Sequence, residues 1–257
     1  MKAITTIMIH TKKNNQNPAQ AGFFIDLSVT IFIFDLLKRS NILRMKISYN
    51  YVVIEGNIGA GKTTLAGKIA DQFNARLILE HFIDNPFLPK FYNDPDKYSF
   101  PLELSFLASR YKQLKDELVP QDLFKAFTVA DYYFMKSLIF AASTLSGDEY
   151  NLYRQIFYII YGSLPRPDIY VYLHMAPEKL LLNIEKRGRE FEKTITVGYL
   201  NKIQDSYFTF FRQNIENRYL IIDINNLDFV EDKNHYTKII DTIFYNRYPV
   251  GLNKVIL

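Results

Sequence analysis

The chain has 257 residues, enough for one α/β domain with a substantial core and short for two. Its 48% apolar content excludes a disordered chain, and the absence of cysteine excludes disulfides, thiolate metal sites and a cysteine nucleophile, which suits a reducing cytoplasm. The net charge of +4 belongs to residues 1–44, which hold six basic and two acidic groups; residues 45–257 are neutral, so bulk charge gives no case for nucleic acid as a partner.

Residues 1–20 are polar. Residues 21–37, AGFFIDLSVTIFIFDLL, are largely apolar, but a stretch of about 17 residues is at the short limit for crossing a bilayer. Asp26 and Asp35 interrupt it, and no small-residue cleavage site follows, so no membrane partner is expected. Met45 opens MKISYNYVVIEG, a natural lead into a first strand. Residues 1–44 therefore read as an N-terminal extension, either disordered or the product of a start codon set too early, and 45–257 as the single domain.

From Met45 onward, β-rich apolar runs alternate with helical patterns. Strands are expected at Tyr51–Glu55, Arg76–Glu80, Phe127–Asp131, Ile169–Met175 and Tyr219–Asp223. Helices are expected at Lys62–Phe73, Tyr98–Glu117, Phe134–Leu145 and Glu149–Tyr161, after Pro177, and at Lys233–Tyr245. This alternation implies an α/β fold, a five-stranded parallel sheet with helices on both faces in three layers. Ligands then belong at the carboxyl ends of the strands.

Residues 56–64, GNIGAGKTT, satisfy G-x-x-x-x-G-K-[ST], with a strand before them and a helix after. Gly56, Gly59 and Gly61 let the backbone of Asn57, Ile58 and Ala60 curl so that N–H groups face phosphate oxygens. Lys62 is placed to reach the outer phosphates, the Thr63 hydroxyl to ligate Mg²⁺, and Thr64 continues into a helix whose positive end faces the anion. A nucleoside triphosphate, ATP, with Mg²⁺ is the expected donor.

Other users of this loop fit less well. A guanine-reading Asn-Lys-x-Asp element is absent; Asn201-Lys202-Ile203-Gln204 lacks the Asp and lies in a helical stretch. Asp131 ends an apolar strand, but Tyr132 rather than Glu follows it, so water activation as in motor-type ATPases is poorly supported. A small-molecule kinase remains.

Four further segments bear on that choice: LILEHFIDNPFLPKFYNDP, SFPLELSFLASRYKQL, PDIYVYLHMAPE and RGREFE. Together with the glycine loop they make the chain from 50 to about 245 resemble the deoxynucleoside kinase family, most closely its bacterial deoxyadenosine/deoxyguanosine branch. The resemblance implies a P-loop kinase fold with a short Arg-bearing lid, a deoxynucleoside acceptor beside ATP, and a homodimer.

It also implies roles for single residues. Glu80, ending the second strand, matches the general base that takes the proton of the sugar 5′-hydroxyl; a solvated strand-end Glu is the alternative. Tyr92 and Glu192 match the pair that holds the 3′-hydroxyl, although Tyr92 alone reads equally as packing. Arg187 and Arg189 flank Gly188 as a lid over the transferring phosphoryl group, or as a basic helix end. Asn183 stands where the family often has a further Arg.

Asp131 matches the carboxylate that helps to hold Mg²⁺, but Tyr132 replaces the Arg that commonly follows it. Arg187, Arg189 or Lys136 must then supply the missing charge, with Tyr132 itself readable as a core aromatic. Glu103 replaces a base-facing Gln, and Arg110 lies seven residues on, on the same helix face. An ionised Glu accepts only, which suits guanine with Arg110 free to meet its O6 or N7; a purine deoxynucleoside is expected, deoxyguanosine ahead. Ser137 replaces an Asp of some relatives. A Glu103–Arg110 ion pair without base contact is the structural alternative. Two other functions stay open: a nucleoside monophosphate kinase, and a nucleotide-binding regulatory protein whose catalysis has lapsed.

Overall fold

Strand β1 (Tyr51–Gly56) is buried along its whole length and apolar except for Glu55, as a strand covered on both faces must be. It lies at the centre of a parallel sheet with β2 (Arg76–Ile78), β3 (Thr128–Ala130), β4 (Ile169–His174), β5 (Arg218–Asp223) and β6 (Gly251–Ile256). The order is β2-β3-β1-β4-β5-β6, with Val53 opposite Ala130 on one side and Tyr170 on the other. This computed structural model describes residues 49–81, 85–118 and 124–257, all within the compact unit Lys46–Leu257. The extension and early-start readings of 1–44 lie outside the described residues. Among the described residues no helix is long and apolar enough to cross a membrane.

The helices are α1 (Lys62–Phe73), α2 (Leu88–Asn93), α3 (Pro95–Leu118), α4 (Met135–Thr144), α5 (Gly147–Tyr161), α6 (Pro177–Arg187), α7 (Val197–Gln213) and α8 (Lys233–Tyr245). Alternation along the strands divides the core in two. Val52, Ile54, Val171, Leu173, Leu220 and Ile222 face Leu65 and Ile69 of α1 and Ile239 and Ile243 of α8. Tyr51, Val53, Tyr170, Tyr172 and Tyr219 face the other way, onto residues of α3, α4, α5 and α7. Each fully buried Val or Ile contributes about 1.5–3 kcal/mol, so a one-residue slip of any central strand is prohibitive.

Two departures from the sequence expectation have physical causes. The sheet has six strands, not five: β6 is an edge strand that alternates half-buried and exposed residues, so GLNKVI lacks a strong apolar run. Strand β2 stops at Ile78 rather than Glu80, because the Glu80 N–H donates to the Asp131 Oδ1 at 2.8 Å instead of to a neighbouring strand. That early stop turns Glu80 out of the sheet toward the glycine loop.

Candidate active site

The glycine loop joins β1 to α1 at the carboxyl end of the sheet. Gly59 and Gly61 have φ of +84° and +80°, and a Cβ on either would come within 2.7 Å of Leu180 O or of the Phe229 ring. Three side chains brace the loop. Asn57 is buried, donates from Nδ2 to Leu200 O at 2.7 Å and accepts from Ile58 N at 2.9 Å. Asn183 donates to Gly59 O at 2.9 Å, so the residue replacing the family Arg braces the loop. Lys62 Nζ folds back onto Asn57 O at 2.8 Å.

Thr63 Oγ1 donates to Asp131 Oδ2 at 2.5 Å. Because Asp131 Oδ1 is held by Glu80 N, the other oxygen and the Thr63 hydroxyl converge on one point beside the loop. No group of three or more His, Cys, Asp or Glu side chains that could hold a metal occurs among the described residues. Two hard oxygen donors next to a phosphate-binding loop nevertheless fit Mg²⁺, which takes one or two protein oxygens and completes its shell with phosphates and water.

Glu80 lies between two cations. Arg110 donates from Nε at 2.8 Å and from Nη2 at 2.7 Å to Oε1, and Lys136 Nζ lies 2.5 Å from Oε2. Burial pushes the Glu80 carboxyl up, but the charge and hydrogen bonds of Lys136 and Arg110 outweigh it and hold the group down at about 2. Burial, and then Lys136, hold the Lys62 ammonium below its ordinary range, while Glu55, Asp131 and Glu80 pull it back up.

The missing Arg after Asp131 is thus answered by Lys136, in the first turn of α4. Tyr132 takes no part in that: its ring is fully buried and its hydroxyl donates to Gln113 Oε1 at 2.8 Å. Sequence reasoning did not single out Glu55, which pins the same turn. Its Oε1 accepts from Tyr133 N at 3.0 Å and its Oε2 from Tyr207 Oη at 2.8 Å. The available signal was a charged residue at the end of a buried apolar run.

Arg110 does not pair with Glu103. Besides Glu80 it donates to Ser137 Oγ at 2.9 Å, in the place where some relatives carry Asp. Glu103 instead accepts from Thr144 Oγ1 at 2.9 Å, and burial pushes its carboxyl up to about 7 against the pull of Arg110 and Thr144.

Arg187 and Arg189 converge on buried Glu192. Arg187 reaches Oε2 at 2.5 Å from Nη2 and 3.1 Å from Nε, and Arg189 Nη1 is 3.4 Å from Oε1. Gly188 between them caps α6 in the left-handed region, φ +71°. Burial, then the charge of Glu192, raises the Tyr92 hydroxyl above its usual range, which places the two as neighbours.

One cleft brings most of these groups together. Ile58, Gly59, Lys62 and Thr63 line it together with Tyr92, Glu103, Arg110, Arg187, Arg189 and Glu192, and Glu80 links the loop to Arg110 and Lys136 through the chain Thr63–Asp131–Glu80. Gly56, Asn57, Ala60, Gly61 and Thr64 do not line it. Leu88, Phe91, Leu102, Phe106, Phe140 and Tyr199 supply apolar walls; sequence reasoning singled out none of them as site residues.

A glycine loop at the end of a parallel sheet, opening onto an acceptor cleft with a carboxylate at the junction, defines a P-loop kinase. A family model for deoxynucleoside kinase matches residues 52–247. The chain is 39% identical over 196 residues to a deoxyguanosine kinase of Bacillus subtilis, covering 74% of this chain and 93% of that one. It is 34% identical to a deoxyadenosine kinase of Dictyostelium discoideum, over 74% of this chain and 78% of that one. A solved deoxyadenosine kinase from M. mycoides shares the fold, with a TM-score of 0.66 at 24% identity over 75% of this chain and 98% of that chain. The chain belongs to the deoxynucleoside kinase family.

Proposed function

We propose that residues 45–257 transfer the γ-phosphoryl group of ATP to the 5′-hydroxyl of a purine deoxynucleoside, giving the monophosphate and ADP. The observation that carries this is the position of Glu80, which lines the same cleft as Lys62 and Thr63 and is tied through Asp131 to Thr63 and through its carboxylate to Arg110. The 5′-oxygen attacks the γ-phosphorus as the bond to the ADP oxygen breaks, and Glu80 accepts the hydroxyl proton. A carboxylate held at about 2 is a weak base, so it orients the hydroxyl first and takes the proton late, as a loose phosphoryl transfer requires.

Lys62 and Lys136 supply positive charge beside the transferred group, and Arg187 and Arg189 supply more on exchanging Glu192 for phosphate oxygens. Thr63 and Asp131 would hold Mg²⁺, which supplies charge neutralisation between the phosphates. Tyr92 and Glu192 clamp the 3′-hydroxyl. The purine preference draws support from the kinases of Bacillus subtilis and Dictyostelium discoideum named above.

Cations already carrying carboxylates argue for a neutral acceptor over a monophosphate: Arg110 and Lys136 hold Glu80, and Arg187 holds Glu192. The exposed apolar side chains of α5, Leu152, Tyr158 and Ile159, support a homodimer through this helix, and the composition suits the cytoplasm. The test is product analysis with ATP and Mg²⁺ against four deoxynucleosides and two purine monophosphates. Deoxynucleoside monophosphate formed from a purine, abolished by Glu80→Gln, is the expected result. Phosphorylation of the monophosphates alone, or ATP binding with no transfer, would reject it.

A further inference from the structure

Glu103 lies mid-way along α3, is 2% exposed, and lines the acceptor end of the cleft. Its two oxygens are treated differently. Oε1 has the Thr144 hydroxyl at 2.9 Å; Oε2 is buried with no hydrogen-bond partner. A buried carboxylate oxygen left unpaired is costly, and here it borders the space an acceptor base would fill.

The charges around it do not fix its protonation. Arg110 on the same helix is turned to Glu80 and Ser137. Lys136 of α4 and Glu80 after β2 act on it with opposite signs, while the hydroxyls of Tyr92, Tyr153 and Tyr199 face it from α2, α5 and α7. Burial is the largest influence and Arg110 the next, and together they leave the group near neutrality, at about 7. Thr144 accommodates both forms. Its hydroxyl donates to Glu103 Oε1 at 2.9 Å whether the carboxyl is ionised or carries its proton on Oε2, which leaves that proton free for a base.

Resting on the purine deoxynucleoside reading above, we propose that Glu103 selects the base by its protonation state. The carboxylate accepts from the adjacent N1–H and N2–H₂ donors of guanine; the neutral acid donates to N1 of adenine and accepts from its N6–H₂. Each form leaves the other base with an unmatched polar group, the situation that discriminates most strongly in a buried site.

The measurement is kcat/KM for deoxyguanosine and for deoxyadenosine with ATP and Mg²⁺ between pH 6 and 8. Every group that serves both substrates alike cancels in their ratio, which reports the free enzyme. The ratio of deoxyguanosine to deoxyadenosine should rise by about tenfold per pH unit, because each base uses one form of a single titrating group. Glu103→Gln, a neutral donor and acceptor of the same shape, should give a ratio independent of pH and tilted toward deoxyadenosine. A flat ratio in the unmodified protein, or a slope retained by Glu103→Gln, overturns the inference while leaving the kinase reading intact. Phosphorylation of neither purine overturns both.

Discussion

Lys136 Nζ lies 2.5 Å from Glu80 Oε2, on the opposite oxygen from the one that Arg110 holds. The carboxylate is fixed from both sides, although the residue after Asp131 is Tyr132 and not a cation. Removing one partner of a buried pair leaves the other charge uncompensated, at a cost of about 3–5 kcal/mol. Lys136 also supplies charge beside the transferred group, so Lys136→Met should lower kcat by about 10²–10³-fold. It should also let the Glu80 carboxyl rise, moving the acid limb of the pH–kcat/KM profile to higher pH. Lys136→Arg should restore part of both. Steady-state kinetics from pH 4 to 8 decides it: an unmoved acid limb in Lys136→Met would show that Lys136 does not act through Glu80.

Tyr132 belongs to the core rather than to the chemistry. Tyr132→Phe removes the hydrogen bond to Gln113 and should cost about 0.5–1.5 kcal/mol of stability with kcat unchanged. Tyr132→Arg would restore the family's usual residue in name, yet it puts a guanidinium where a fully buried ring was. We expect a loss of about 3 kcal/mol or more and no gain in kcat. Urea melts paired with initial rates measure both; an active, stable Tyr132→Arg would contradict the placement.

How much of this was legible in the sequence depends on how local each cause is. β1, the glycine loop and α1 are set by neighbours in the chain: a continuous apolar run, glycines where φ is positive, then a helical period. β6 was invisible because an edge strand needs burial on alternate residues only, and Asn253 and Lys254 dilute the pattern. Spacing on α3 puts Glu103 and Arg110 on one face, but the partner Arg110 takes is decided thirty residues away, at the end of β2. The charge standing in for the missing Arg was readable as a need, and Lys136 as one of three sources. Its selection is a matter of tertiary placement, as is the role of Glu55.

Gly59 should tolerate no side chain. With φ at +84° and Leu180 O within 2.7 Å of any Cβ, Gly59→Ala forces either the loop or α6 to move. Backbone strain of this kind costs about 1–3 kcal/mol. The loop's N–H groups would also lose their common focus, so the KM for ATP should rise at least tenfold. Gly67, on α1 with open space for 4 Å around the position a Cβ would take, is the control. Gly67→Ala should leave KM unchanged and add up to about 1 kcal/mol of stability through helix propensity. Equal KM values for the two variants would remove the steric argument for the loop.

Glu103 also makes stability depend on pH, with a sign opposite to that of a salt-bridged carboxylate. Its folded value of about 7 lies above an unfolded value of about 4.3. Below about pH 4.3 the group is neutral in both states and costs nothing. Between about 4.3 and 7 the folded state binds the proton more tightly, so stability falls as pH rises; above about 7 the full cost of the buried charge is present. Glu103→Gln carries no such charge. Its stability relative to the unmodified protein should therefore climb across that window, by about 1–3 kcal/mol from pH 5 to pH 8. Glu80 works in the reverse direction and below pH 4.5, where its depressed carboxyl is protonated on acidification, so it does not mask the effect. Thermal or urea unfolding of both proteins at pH 5, 6, 7 and 8 measures the difference directly. A constant gap across the series would mean that Glu103 ionises normally in the folded chain.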